Sequence, residues 1–266
     1  MGEMIVIDRE SCVGCGACVS DCLLGNLRLE EGKAVPAKRC FGCGHCVAVC
    51  PKGAVSLPAW DMADVEEYEG EGFAIKPENY LHAVKFRRSI RSYGGRPVER
   101  EKLERILQAG RYTPTAANRQ ACRFYVVQRE LSRWKELVWQ ELPGVIEVLR
   151  KTAPDMAARF AEFAGWHQAD PGRDFLFFGA DVFLAVAAGE TFDAGLAACN
   201  MENMAVSEGL GVLYSGYLTK IIGRSPALKE WLGVSDKPLA CCMLLGYPAV
   251  RYRRTAPRKP VDIIWR

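Results

Sequence analysis

Residues 12–22 read CVGCGACVSDC and residues 40–51 read CFGCGHCVAVCP. Both runs have the spacing C-x2-C-x2-C-x3-C; proline follows the second, whereas Leu23 follows the first. Three thiolates this close reach three irons of one [4Fe–4S] cubane. The fourth, carried past a turn, reaches the other cluster. Cys12, Cys15, Cys18 and Cys50 are therefore expected to hold one cluster, and Cys40, Cys43, Cys46 and Cys22 the second. Gly14, Gly16, Gly42 and Gly44 let the backbone fold tightly and aim N–H groups at sulfur. Structural zinc takes four ligands in a closed tetrahedron, and two complete runs of four fit it poorly. His45 stands between two ligands and is expected outside the ligand set, because the cysteines already fill every iron.

The chain has 266 residues, enough for one or two domains. With 49% hydrophobic and 25% charged residues it has the composition of a globular protein. A net charge of +3 is too small to argue for nucleic acid or a membrane surface. The longest apolar runs, 179–189 and 240–250, fall short of the ~20 residues a membrane span needs. Met4–Ile7 is too short for a signal-peptide core, so a cytoplasmic protein is expected. Outside the two runs, Cys122, Cys199, Cys241 and Cys242 are scattered, and core packing is the default for them. Residues 61–80 hold seven acids against one lysine and are broken by Gly70, Gly72 and Pro77. They are expected to form a partly helical, acidic linker between residues 1–60 and residues 81–266.

Beyond the linker, helical and strand patterns alternate. The spacing of Leu103, Ile106 and Leu107 predicts a helix over 97–110, and strands are expected at 124–128, 182–188 and 238–246. Further helices are expected over 131–142, 155–168 and 193–209, giving a mixed α+β domain. Four segments suit a phosphate and a flat ring. Arg87-Arg88-Ser89-Ile90-Arg91 brings guanidinium forks and a hydroxyl that match a phosphate. Pro114–Gln120 places Asn118 and Gln120 where they meet a ring edge with donors and acceptors. Gly209–Gly216 allows close backbone approach. Residues 249–266, with six bases against one acid, offer a second phosphate clamp. Taken singly, these are equally a solvated helix face, a polar turn, a helix cap and a solubilising tail.

In this order and spacing the four segments, over residues 80–266, resemble the FMN-dependent nitroreductase family. Residues 4–57 resemble bacterial two-cluster ferredoxins. The resemblance implies an α+β fold, with a central sheet flanked by helices, preceded by a small ferredoxin-like domain. It implies that Arg87, Arg88, Ser89 and Arg91 hold the FMN phosphate, ribityl chain and N1/O2 side of the ring. Thr115, Ala116, Asn118 and Gln120 would lie along the ring from the partner subunit. Tyr214, Ser215 and Gly216 would present backbone groups near N5, and Arg258 would return to the phosphate. The family often has Gln-Pro-Trp where this chain has Gln120-Ala121-Cys122, and some members carry an acid where Ser215 stands. Both departures bear on the substrate pocket. Phe163, Trp166 and His167 fall where the family builds its variable lid.

The cofactors implied are FMN and two [4Fe–4S] clusters, in a homodimer with FMN at the subunit interface. Helix 193–209 is expected at that interface, because Ala197, Ala198, Met201, Met204 and Ala205 suit close packing. The implied activity is an oxidoreductase of nitroreductase type. Electrons pass from a donor, such as a low-potential protein, through the clusters to FMN and on to a small organic acceptor. The alternative is an electron-transfer flavoprotein that relays electrons between protein partners without small-molecule turnover.

Overall fold

A computed structural model of the chain describes residues 4–37, 40–234 and 237–266. It divides into two compact units: Met1–Ala74 with Thr115–Arg119, and Ile75–Pro114 with Gln120–Arg266. The acidic stretch 61–80 thus falls on both sides of the division.

The first unit runs β1 (Val6–Ile7), α1 (Ala17–Ser20), β2 (Leu27–Glu30), β3 (Lys33–Pro36), α2 (His45–Ala48) and β4 (Val55–Ser56). Strand β1 pairs antiparallel with β4, and β2 with β3. The unit repeats itself: the same interval separates Cys12 from Cys40, Gly16 from Gly44 and Cys22 from Cys50. Each short helix follows a glycine with φ near +80°, Gly16 at 79° and Gly44 at 80°, a conformation that costs glycine least. Gly14 adds a steric demand, since a Cβ there would lie 2.0 Å from the Gly32 carbonyl oxygen. The core is small. Ile5, Leu27, Ala34, Ala54, Val55 and Leu57 pack with Cys12, Cys18 and Cys46. A unit of this size buries too little apolar surface to be comfortable alone, and bound metal is a usual supplement.

The second unit contains α3 (Pro77–Phe86), α4 (Arg100–Arg111), β5 (Arg123–Val127), α5 (Leu131–Thr152), α6 (Pro154–Ala169), β6 (Val182–Ala187), α7 (Thr191–Ser207), β7 (Gly211–Tyr214), α8 (Gly216–Arg224), α9 (Pro226–Leu232) and β8 (Leu239–Gly246). Its four strands form an antiparallel sheet in the order β5-β6-β8-β7. Side chains alternate along β6. Phe183 and Ala185 enter a core with α5, α6, α8 and α9; Val182, Leu184 and Val186 enter another with α4 and α7. Strand β8 does the same, with Cys242 and Leu244 on one face and Met243 and Leu245 on the other. The expected α+β architecture, a sheet flanked by helices, is the one observed.

Several details differ from the sequence reading. Helix α5 continues ten residues beyond 142 although Pro143 lies inside it, because Leu142, Val145, Ile146 and Leu149 hold the face against the core. Residues 211–214 form an edge strand. Gly211 is needed there because a Cβ would come within 2.4 Å of Ile90 Cγ1. The close approach that this glycine permits is therefore made by Ile90. Helix α7 does not present its small residues outward. Ala197, Ala198, Met201 and Ala205 are at most 1% exposed and pack within the single chain, so they are not available to an interface. Cys199, expected in the core, is exposed, whereas Cys242 is buried. Among the described residues, no helix is long and apolar enough to cross a membrane.

Candidate functional site

Seven of the eight N-terminal cysteines line two cavities, each of which takes thiols from both runs. One, of about 350 Å³, is bordered by Cys12, Cys15, Cys18 and Cys50, beside Pro51 and Lys52. The other, of about 220 Å³, is bordered by Cys22, Cys40 and Cys43, beside Asn26 and Phe41. Cys46 is buried next to this second group: burial, then the charges of Cys40 and Cys43, push its pKa up to about 11. Burial likewise raises the Cys18 thiol, reinforced by Cys15, Cys50 and Cys12. Thiolates crowded like this repel one another unless a cationic core lies among them. The cavities and their donors fit two iron–sulfur cores, with Cys50 bordering the cavity of Cys12, Cys15 and Cys18, and Cys22 that of Cys40 and Cys43. Among the described residues, no three His, Cys, Asp or Glu side chains gather as ligands of a single metal ion. His45 is exposed at the start of α2.

Backbone N–H groups point at the sulfurs. Asn26 N–H donates to Cys22 Sγ and Ala54 N–H to Cys50 Sγ, both at 3.2 Å and at repeat-related positions. Gly42 N–H donates to Cys40 Sγ at 3.2 Å and Ala34 N–H to Cys12 Sγ at 3.5 Å. The Ala34 bond, followed by one from Gly14, holds the Cys12 pKa below its ordinary value. Such bonds favour thiolate and tune cluster potential. The sequence points to the glycines for this role; Asn26, Ala34 and Ala54 are not legible in it because their N–H direction depends on the fold.

In the second unit the Arg87–Arg91 run leaves the end of α3 and lies along the sheet edge. Ser89 bridges Val212 of β7 in parallel, and Ile90 N–H donates to the Val212 carbonyl at 3.0 Å. Arg88 Nε is buried and has no hydrogen-bond partner. A buried donor left unpaired costs about 1–3 kcal/mol, more when charged, so this atom calls for an anionic acceptor. Arg87 Nη1 lies 3.4 Å from Glu202 Oε1 of α7. Burial raises the Glu202 pKa, while Arg87 and a hydrogen bond with Tyr214 pull it back. Burial, then the Glu202 charge, also raise the Tyr214 pKa. Arg91 is exposed. Glu202 was missed in the sequence. Its signal was an acid on the helix face shared by Ala198, Met201 and Ala205, where a charge needs a partner.

Tyr214 ends β7, and Gly216 begins α8. Ser215 between them is 6% exposed and largely committed within the chain. Its hydroxyl accepts from Leu218 N–H at 3.3 Å, its N–H donates to the Cys242 carbonyl at 2.8 Å, and its carbonyl accepts from Thr219 Oγ1 at 3.0 Å. With Leu218 capped, the first N–H groups of the helix, those of Gly216 and Tyr217, are the backbone donors that point out of its N-terminus. The Tyr217 ring packs edge-on against Phe160 and Phe163 of α6. Of the lid candidates, Phe163 is buried in the core, Trp166 packs on Phe175, and His167 stacks on Trp139 at 4.0 Å. Arg258 is exposed in the C-terminal segment, which has no helix or strand. No hydrogen bond or ion pair among the described residues joins it to Arg87, Arg88 or Ser89.

Thr115, Ala116 and Asn118 belong to the first unit, whereas Gln120 lies in the second and is exposed. Asn118 Nδ2 donates to the Gly42 carbonyl at 2.8 Å, between Cys40 and Cys43. One of its side-chain donors is thus committed to a cysteine loop. Ala117, Asn118 and Gln120 have φ of 51°, 50° and 48°, in a region that residues with a Cβ seldom occupy.

Comparison with known proteins divides the chain in the same sense. The Nitroreductase family model matches residues 84–247. A 4Fe-4S dicluster domain model matches residues 4–51. Ferredoxin-2 of Desulfomicrobium norvegicum is 44% identical over 36 residues, 14% of this chain and 61% of that protein. The chain thus spans less than two thirds of that ferredoxin's length. Among solved structures, a nitroreductase with bound FMN from Bacteroides fragilis is 22% identical, with a TM-score of 0.53, covering 70% of this chain and 98% of its own. Another with bound FMN, from Desulfitobacterium hafniense, is 20% identical, with a TM-score of 0.55 and coverage of 71% and 100%. A BluB-like flavoprotein from Clostridium difficile is 16% identical, with a TM-score of 0.55 and coverage of 72% and 100%. At these identities the likeness is one of fold.

The crossed cavities generate a prediction. Anaerobically purified chain should contain about eight iron and eight sulfide. Cys50→Ser should alter the electron paramagnetic resonance signal of the cluster shared with Cys12, Cys15 and Cys18. A change confined to the other cluster, or zinc in place of iron, would refute the arrangement.

Proposed function

Because the chain belongs to the nitroreductase family, we propose that it is an FMN-dependent oxidoreductase fed through two [4Fe–4S] clusters, reducing an organic acceptor such as a nitroaromatic. The observation that carries this reading is that two cavities lined by cysteines from both runs and a sheet edge with an unpaired buried arginine atom occur in one chain. FMN, when bound, exchanges one or two electrons and so joins one-electron clusters to a two-electron acceptor.

The residues supply binding and surroundings. Arg88 Nε gives a phosphate a charge-assisted hydrogen bond from a site that solvent does not reach. Ser89 adds a hydroxyl from a backbone fixed by the Val212 bridge. The N–H groups of Gly216 and Tyr217 favour negative charge at a helix N-terminus. The Tyr217 ring beside them is held edge-on against the buried rings of Phe160 and Phe163. Arg91, Thr115, Ala116, Asn118, Gln120 and Arg258 retain the roles implied by family resemblance within this reading.

The protein is a homodimer in this proposal. Helix α3 buries no residue in the single chain, and Leu81 is 56% exposed. In the C-terminal segment Val261, Ile264 and Trp265 are more than three-quarters exposed. Apolar surface left in this state is characteristic of an interface, and a second copy of the chain covers it. Light scattering of the full chain should give the mass of a dimer; a monomer that retains FMN would contradict this.

Arg88→Ala should weaken FMN binding. Loss of a charge-assisted bond costs about 1.5–3 kcal/mol, or roughly ten- to more than hundredfold in affinity. Unchanged affinity, or FAD in the denatured extract, would count against the site.

The electron route is best tested in the full chain. Removing the N-terminal residues would also strip Asn118 of its Gly42 partner. In the double variant Cys15→Ser, Cys43→Ser, nitroaromatic reduction driven by reduced ferredoxin should fall to background. Reduction driven by dithionite should persist. Ferredoxin-driven turnover at the wild-type rate would exclude the clusters as the entry path.

A further inference from the structure

Glu202 is a charged side chain enclosed by the second unit, at 6% exposure, in a helix whose neighbouring face is alanine and methionine. An ionised carboxylate is costly to bury unless it is paired, and losing its partner leaves an uncompensated charge. The partners here come from two other elements. Arg87, at the end of α3, places Nη1 3.4 Å from Glu202 Oε1, and Tyr214, at the end of β7, shares a hydrogen bond with the carboxyl. Arg87 remains 27% exposed in its side chain, whereas the Glu202 side chain is 7% exposed. The carboxylate is therefore the more enclosed member of the pair, and the guanidinium the one nearer solvent. The next residue carries the buried, unpaired Nε, and the one after that is fixed to β7. The carboxylate thus lies behind the run that the proposed function assigns to the flavin.

We propose that Glu202 is a positioning residue for the flavin, which holds the Arg87 guanidinium in place and offsets part of its positive charge. The inference rests on the FMN reading above and adds to it a control of electron affinity. Reduction places negative charge on the flavin, and a nearby cation favours the reduced form over the oxidised one. A carboxylate behind that cation moderates the preference, because its field opposes that of the guanidinium at short range. The result is a flavin held at lower potential than Arg87 alone would set, and so a better donor to its acceptor. Tyr214 belongs to the same device. It shares a hydrogen bond with the carboxyl.

The test compares binding of oxidised and reduced FMN in the full chain, through the midpoint potential of bound and free FMN under anaerobic conditions. Glu202→Gln keeps the shape and an oxygen that accepts from Arg87 and Tyr214, but removes the charge. Its preference for reduced over oxidised FMN should rise about tenfold relative to wild type. A purely structural role would weaken both forms alike and leave the ratio unchanged. Should the Gln variant fail to fold, Glu202→Asp decides. Its shorter side chain draws the charge back from Nη1 and should shift the ratio in the same direction, by less. A variant that binds FMN with an unchanged ratio, or with one shifted toward the oxidised form, overturns the inference. A wild-type chain that binds no FMN overturns the flavin reading itself, and this inference with it.

Discussion

A strand enclosed on both faces must divide its side chains between two cores, and β6 imposes that constraint on the whole second unit. All six of its residues are buried, and they alternate between the α5–α6 side and the α4–α7 side. Strand β8 must follow the same alternation in register, Leu184 opposite Met243 and Val186 opposite Cys241. A shift of one residue would exchange the two faces along the strand. With β8 fixed, β7 has one place to pair, and its outer edge is where the Arg87–Ile90 run comes to rest. The position of the arginines thus descends, strand by strand, from the burial of β6.

The two units meet different physical difficulties with local charge. In the first, thiols are gathered together out of water, and burial, then the neighbouring cysteines, raises the pKa of Cys18 and Cys46. In the second, one guanidinium atom is enclosed without an acceptor, and a carboxylate is enclosed against another guanidinium. Each is a place where the folded chain has given up water without full compensation from its own atoms. Such places recur at binding sites, since a bound group completes what the chain leaves open.

Much of this was legible in the sequence, because spacing carries it. The cysteine runs fix their own local geometry. The alternation of strands and helices follows from apolar period, and Val182–Ala187 and Leu239–Gly246 match the expected strands closely. What was not legible depends on contacts between distant residues. The sequence of α7 suggests an interface helix through its small residues, yet those residues fit against α4 and the sheet; smallness serves either purpose. Gly211 suggests room for a ligand, but the room is taken by Ile90, far away in sequence. Segment 115–119 looks like a polar turn of the second unit but groups with the first, where Asn118 donates a hydrogen bond to the Gly42 carbonyl. Glu202 needed knowledge of what lay opposite it.

The crossed sharing of cysteines has a consequence for the order in which the chain becomes competent. The cavity built around Cys12, Cys15 and Cys18 takes its last wall from Cys50 and Pro51. During synthesis its first three thiols are made before the second run that supplies Cys50. The cavity that contains Cys22 is supplied in the meantime with Cys40 and Cys43. The cavity whose first thiols are encoded first is therefore the last to gain its full lining, and a chain halted before residue 50 lacks the Cys50 wall of it.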